Sequence, residues 1–344
     1  MTARQQSASG IGIAGLGLFL PTGRVTSSEI AQASGLPLDV IEEKMGILEK
    51  PRAGPEDHAS TMALHAARDA LGDTDPAELD LIIYTGSMHK DHYVWSAAAK
   101  VQELLGARHA YAFETVSLCS TNVLTLKVAK DLMTGDPALR TVLLCGGHRT
   151  ADLIDYGNPR TRFLFSLSDG GSAILLRRDL GRNAILGSAF ITDGRFADDV
   201  RMPAGGSRLP ASRENVRKNL HTFDIPDVER FKQRMDEVSA DNFLAVVRES
   251  LARSGLDESD IDFLCINHMK RSFHDFVLKE LGLAEDQAIY LSDIGHIGAP
   301  DQVVALKRAL DGGRLADGDL VVLAAAGLGF TWGSTVVRWG PVEE

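Results

Sequence analysis

Short β-rich apolar runs alternate with longer stretches of helical period along nearly the whole chain, and this alternation restricts the fold more than any other feature. GIGIAGLG (10–17), LDLIIYTGS (79–87), YAFETVS (111–117), RTVLLCGG (140–147) and SAILLRR (172–178) read as strands. STMALHAARDAL (60–71), WSAAAKVQELLG (95–106) and STNVLTLKVAKDLM (120–133) carry helical spacing. After residue 185 the pattern resumes: AILGSAFIT, a long helical region around 226–255, strand FLCIN (263–267), helices FHDFVLKELG (273–282) and DQVVALKRALDGG (301–313), strand DLVVLAAAG (319–327) and a final STVVRW (334–339). Such an order predicts an α/β protein with parallel strands buried beneath helices. SLSDGGSAILLRR and GLGFTWGSTVVRW echo each other, each a Gly/Ser turn feeding an apolar strand. Two pseudo-repeated halves, 1–182 and 183–344, are therefore expected, and no Pro/Gly/Ser-rich linker separates them. They should pack into one body.

The 344 residues are enough for two core-forming halves. A formal net charge of −11 disfavours a general nucleic-acid or anionic-membrane surface, and an acidic carrier-protein partner would need a local basic patch. No apolar run approaches the roughly 18–20 residues that span a bilayer. The opening MTARQQSASG lacks the regions of a signal peptide and reads as a disordered lead-in. Three cysteines, Cys119, Cys145 and Cys265, suit a reducing, cytoplasmic setting rather than a disulfide framework.

Cys145 and Cys265 sit inside apolar strands and read as small buried residues. Cys119 lies between an extended run and a helix starting at about Ser120. There the unpaired N–H groups and positive dipole end of the helix favour thiolate over thiol. A cysteine nucleophile needs a proton manager. His89 and His92 in MHKDHY have the spacing of a metal pair, but no further ligands complete a site. His268 follows strand FLCIN directly, at the carboxyl end where open α/β sheets place their chemistry. His296 sits in the glycine-flanked loop DIGHIGAPDQVVAL, with Pro300 placed as the first residue of the next helix. Asp301 either orients His296 or complements that helix's dipole, and the dipole role is the simpler reading.

With these residues in view, the chain resembles the β-ketoacyl-acyl-carrier-protein synthase III family of the thiolase superfamily from about residue 10 to 340. GLFLPTGRVTSSEIA is similar to the family's opening strand and loop, and KMGILEKPRAGPEDHASTMALHAARDAL to the segment ahead of its second helix. SLCST stands at its nucleophile, INHMKRSF at its Pro-His-Gln-Ala-Asn segment, and GLGFTWGSTVVRW is the most specific match. The resemblance implies a five-layered α-β-α-β-α thiolase fold, a homodimer, Cys119 as the acylated nucleophile and His268 as the first catalytic histidine. It also implies an oxyanion hole from the backbone N–H groups of Cys119 and Leu328, with Gly327 and Gly329 letting the backbone approach. No tightly bound cofactor is implied; the substrate would be a coenzyme A or phosphopantetheine thioester.

Two departures from the family pattern shape the functional expectation. His296 replaces the family's asparagine, and a His296–Asp301 pair would suit a general base that deprotonates a hydroxyl or amine. Val40 stands where a tryptophan stacks on the adenine of coenzyme A, so a carrier-protein phosphopantetheine arm becomes the better donor. Lys44, Lys270 and Arg271 are the candidate contacts to that arm or its acidic carrier. The leading expectation is thioester-dependent acyl transfer through Cys119 to a small-molecule hydroxyl or amine, as in natural-product pathways. The alternatives are decarboxylative condensation with malonyl-carrier protein and a non-catalytic partner subunit.

Overall fold

The computed structural model describes residues 10–342, so most of the lead-in MTARQQSASG lies outside the described residues. The first half contains β1 (Ile11–Phe19), β2 (Gly23–Thr26), α1 (Ser27–Ser34), β3 (Glu49–Arg52), α2 (Ala59–Leu71) and β4 (Leu81–Tyr84). It continues with α3 (Ala97–Leu105), β5 (Tyr111–Glu114), α4 (Thr121–Gly135), β6 (Thr141–Arg149) and β7 (Asp169–Arg178). Then come β8 (Arg182–Thr192), α5 (Arg213–Arg217), α6 (Val228–Ala252), β9 (Phe263–Ile266), α7 (Arg271–Glu280), α8 (Asp301–Asp311), β10 (Leu320–Gly327) and β11 (Thr331–Pro341). Every strand and helix read from apolar periodicity is present.

Nine strands run in the order β5-β4-β6-β7-β1-β8-β11-β10-β9. On one side β4 is parallel to β6, which meets β7 and then β1 antiparallel. On the other, β9 is parallel to β10, which meets β11 and then β8 antiparallel. The two halves thus repeat one strand order about the β1–β8 contact, a single registered pair at Gly12–Ala184. Strand β8 begins at Arg182.

Three buried clusters fix the layers. Helices α2 and α3 cover one face of the first half-sheet through Ala63, Ala66, Ala67, Ala98 and Val101. Helices α6 and α7 cover the second through Phe243, Val247, Leu251 and Val277. Between the half-sheets lie α4 and α8, whose Val123, Leu126, Val303 and Leu306 pack with strand residues from both halves. The result is helix, sheet, paired helices, sheet, helix.

Four elements were not read from periodicity, among them the five-residue α5. β2 and β3 are four-residue pieces, GRVT and EKPR, that pair only with each other, too short and charged for an alternation signal. Helix α1 had a legible start: Thr26 and Glu29 form a capping box, with the Thr26 N–H donating to Glu29 Oε2 at 2.7 Å.

Candidate active site

The nucleophile turn is built first. Leu118–Ser120 form one 3-10 turn ahead of α4, which begins at Thr121, one residue later than expected. Leu118 takes φ +50°, a left-handed backbone that bends the chain sharply before Cys119. The turn is tied down by its own hydroxyls: Thr121 Oγ1 donates to the Leu118 carbonyl at 2.7 Å, and Ser120 Oγ donates to the Ser117 carbonyl at 2.8 Å. Cys119 itself is half-buried, whereas Cys145 and Cys265 are wholly buried. Burial pushes the Cys145 thiol up to about 12 and raises Cys265 as well, as expected of inert core thiols.

His296 faces that sulfur. Its Nε2 lies 3.1 Å from Cys119 Sγ, and its Nδ1 lies 2.6 Å from Asp301 Oδ2. Burial works against a charged ring, but the Asp301 carboxylate and the Cys119 sulfur outweigh it and hold His296 well above the usual histidine range. Asp301 is fully buried and accepts four bonds. Besides His296, Oδ2 takes the His268 N–H at 2.8 Å, while Oδ1 takes the N–H groups of Ile297 at 2.9 Å and Gly298 at 3.3 Å. The dipole reading of Asp301 is therefore incomplete. It is the first residue of α8, as a carboxylate at a helix start should be, and it also grips His296. Pro300 immediately precedes the helix rather than opening it.

The backbone of His296 is held as firmly. Its N–H donates to the Ser166 carbonyl at 2.8 Å and its carbonyl accepts from the Ser168 N–H at 2.9 Å. Lys50, fully buried, braces that segment from behind by donating to the carbonyls of Phe165, at 2.6 Å, and Leu167. Burial brings its amine down to about 7 against the pull of Asp169.

His268 has contacts of its own beside the His296–Asp301 pair, and the fields of Asp301 and His296 both act on its ring. Its main chain belongs to the site through Asp301, but its ring places Nε2 3.3 Å from the Met45 carbonyl and lies beside Tyr290, with ring centroids 5.0 Å apart. Nδ1 is buried without a partner among the described residues, and burial lowers the ring to about 4, so it is neutral near pH 7. The side-chain relay is Cys119–His296–Asp301, with His268 alongside.

The turn after β10 lies against the nucleophile for a steric reason. A Cβ on Gly327 would sit 2.5 Å from the Ser117 carbonyl oxygen and 3.0 Å from the Ser120 nitrogen, so only glycine permits this approach. Gly329 serves differently, supplying φ +124°. Asn267 ties the parts together: its Oδ1 accepts from the Ala326 N–H at 2.8 Å, and its Nδ2 donates to the Gly298 carbonyl at 3.4 Å.

The candidate carrier contacts divide. Lys44 and Lys270 are exposed. Arg271 is already engaged, with Asp275 at 2.9 Å, with Glu285, and over the Tyr290 ring, so the reading of it as a helix-start charge fits better than a phosphate contact. Val40 opens a short helical turn over residues 40–44. His89 lies 3.8 Å from Asp152, and among the described residues no group of three or more His, Cys, Asp or Glu is arranged to hold a metal.

One residue at this site escaped sequence reasoning. His148, near the end of β6, is buried against Gly298. Its signal was the one that singled out His268, a histidine at the carboxyl end of an apolar strand.

Residues 113–194 match the 3-oxoacyl-[acyl-carrier-protein] synthase III model, and residues 251–339 match the model of that synthase's C-terminal part. The β-ketoacyl-[acyl-carrier-protein] synthase III of Caldanaerobacter subterraneus is 33% identical over 95% of this chain and 97% of its own. A 3-oxopimeloyl-[acyl-carrier-protein] synthase of Rhodothermus marinus is 30% identical over 98% and 96%. The fold is shared with the Aquifex aeolicus synthase III, at a TM-score of 0.82 and 23% identity, covering 96% of this chain and 100% of that one. An OleA variant from Xanthomonas campestris with bound lauric acid and lauroyl-CoA gives a TM-score of 0.81 at 18% identity, covering 97% and 100%. The chain belongs to the 3-oxoacyl-[acyl-carrier-protein] synthase III family.

Proposed function

We propose that this protein moves an acyl group from a carrier-protein or coenzyme A thioester onto Cys119 and then onto a hydroxyl or amine acceptor. The observation that carries the reading is the Cys119–His296–Asp301 chain of contacts at 3.1 and 2.6 Å. Cys119 Sγ attacks the thioester carbonyl with its proton already held on the His296 ring, which Asp301 keeps charged. The N–H groups of Cys119 and Leu328 are assigned to the oxyanion. Collapse breaks the carbonyl–sulfur bond of the donor, and His296 returns the proton to the leaving thiol. In the second half His296 takes the acceptor's proton, the acceptor oxygen or nitrogen attacks the acyl-enzyme, and Cys119 leaves with that proton still on the ring. Asp301 stabilises the imidazolium from which this cycle starts and to which it returns, an asset where an acceptor must be deprotonated. His268 is assigned as a neutral hydrogen-bonding imidazole. Lys44 and Lys270 remain the assigned contacts for the donor arm, and a homodimer remains the proposed assembly.

A second reading, decarboxylative condensation of the acyl-enzyme with malonyl-carrier protein, is favoured by the relatives, which are named as β-ketoacyl and 3-oxopimeloyl synthases. That reaction draws its nucleophile from loss of carbon dioxide and needs hydrogen-bond donors at the malonyl carbonyl rather than a base. Supplying the purified protein with acyl and malonyl thioesters separates the two. Acyl transfer predicts a Cys119 adduct with no carbon dioxide released. A lengthened β-ketoacyl product with stoichiometric carbon dioxide would establish condensation instead.

A further inference from the structure

Lys50 belongs to the four-residue strand β3 yet is fully buried, and neither the relay nor the oxyanion turn uses it. Burying an amine is costly unless its N–H groups are paired, so the place where they go is informative. Nζ donates to the carbonyls of Phe165, at 2.6 Å, and Leu167, and lies 5.4 Å from the centre of the Tyr156 ring. The charges whose fields reach it are Asp169 and Arg52, but the Asp169 carboxylate accepts from the N–H groups of Ala53 and Ala151, at 2.9 and 3.0 Å. Burial brings the amine down to about 7, and a neutral amine still has one N–H for each of the two carbonyls.

The same short segment holds His296 with its remaining groups. The Ser166 carbonyl accepts the His296 N–H at 2.8 Å, and the Ser168 N–H donates to the His296 carbonyl at 2.9 Å. Leu167 and His296 meet as an isolated bridge outside the named strands, so Lys50 supplies the support that a neighbouring strand would give. Gly295 closes the arrangement. A Cβ there would sit 2.5 Å from the Ser166 oxygen and 3.3 Å from Lys50 Cβ, so the loop carrying His296 rests on the lysine stem.

We propose that Lys50 is a positioning residue: by holding residues 165–168 from behind, its N–H groups set where the His296 ring stands against Cys119 Sγ. Without the amine two buried carbonyls lose their donor, and the segment shifts to find another, carrying His296 with it. This role rests on the Cys119–His296 contact and not on the identity of the acceptor.

Iodoacetamide alkylation of Cys119, located by peptide mass and followed from about pH 5 to 9, tests it on wild type, Lys50→Gln, Lys50→Met and His296→Ala. Protein purified as the folded species is used, so lost stability alone leaves the profile in place. Glutamine keeps an N–H₂ group one bond short of the lysine nitrogen, and methionine, of similar length, has none. The pH of half-maximal alkylation should rise by about half a unit in Lys50→Gln and by about one unit or more in Lys50→Met, with His296→Ala setting the upper limit. Single-turnover loading by acetyl-pantetheine should fall in the same order, about tenfold or more in Lys50→Met, while the half-saturating concentration stays within about threefold. An unmoved profile in either lysine variant, equal displacement in both, or a loss confined to the half-saturating concentration overturns the assignment. Lys50→Gln decides alone if Lys50→Met does not fold. A His296→Ala profile identical to wild type overturns the Cys119–His296 relay itself, and the Lys50 assignment with it.

Discussion

The entrances to the two middle helices occupy equivalent places in the repeated halves and carry opposite solutions. At α4 the entrance holds Cys119, half-buried, on a turn whose hydroxyls satisfy one another and leave the sulfur facing the His296 ring. At α8 it holds Asp301, fully buried, with both carboxylate oxygens saturated by four donors. One half keeps its reactive atom accessible. The other spends its polar contacts on immobilising the ring that serves that atom. The difference shows how a doubled fold divides labour, with nucleophile and orienter on separate halves and His296 bridging the seam.

The largest expected effect comes from the α4 side. Cys119→Ala should abolish the acyl adduct and lower turnover by at least about a thousandfold, read by mass spectrometry and product formation. An adduct that persisted would mean the nucleophile lies elsewhere. On the α8 side, Asp301→Asn keeps the volume but loses the charge and misorients His296. Acylation should slow by about 10²–10⁴-fold while the adduct still maps to Cys119, in single-turnover kinetics. Equal rates for Asp301→Asn and wild type would reduce Asp301 to a helix-capping charge. Gly327→Ala pushes a methyl against the Ser117 carbonyl and should cost about tenfold to a hundredfold in acylation through displacement of the oxyanion turn.

The smallest effect concerns stability. His148, His268 and His274 are each lowered by burial to about 4. Between their unfolded value near 6.5 and that folded value, the unfolded chain binds more protons, so stability falls as pH drops. Each ring contributes up to about 1.4 kcal/mol per pH unit over that window. Thermal denaturation from pH 7 to 4.5 should show the slope, and His148→Leu should flatten it.

Much of this site was legible because its residues stand where periodic elements stop. Cys119, His268 and His296 were singled out that way, and the glycine turn at 327–329 through the resemblance of GLGFTWGSTVVRW to the family. What stayed hidden depends on side-chain direction and distant partners. Nothing in INHMKRSF tells that the His268 ring turns to Met45, 223 residues away, while its N–H meets Asp301. Nor does sequence reveal that Arg271 is tied up by Glu285, or that Lys50, in a charged four-residue strand, is buried behind His296. His148 was within reach of the strand-end argument, but its packing against Gly298, 150 residues further on, was not.

The central claim, that Asp301 acts on Cys119 through His296, is tested most directly by a double-mutant cycle on the acylation step. Asp301→Asn, His296→Ala and the double variant would be compared with wild type in single-turnover loading of Cys119. A working relay predicts that Asp301→Asn costs little once His296 is gone, so the two losses are far from additive. Losses that multiply independently would contradict it.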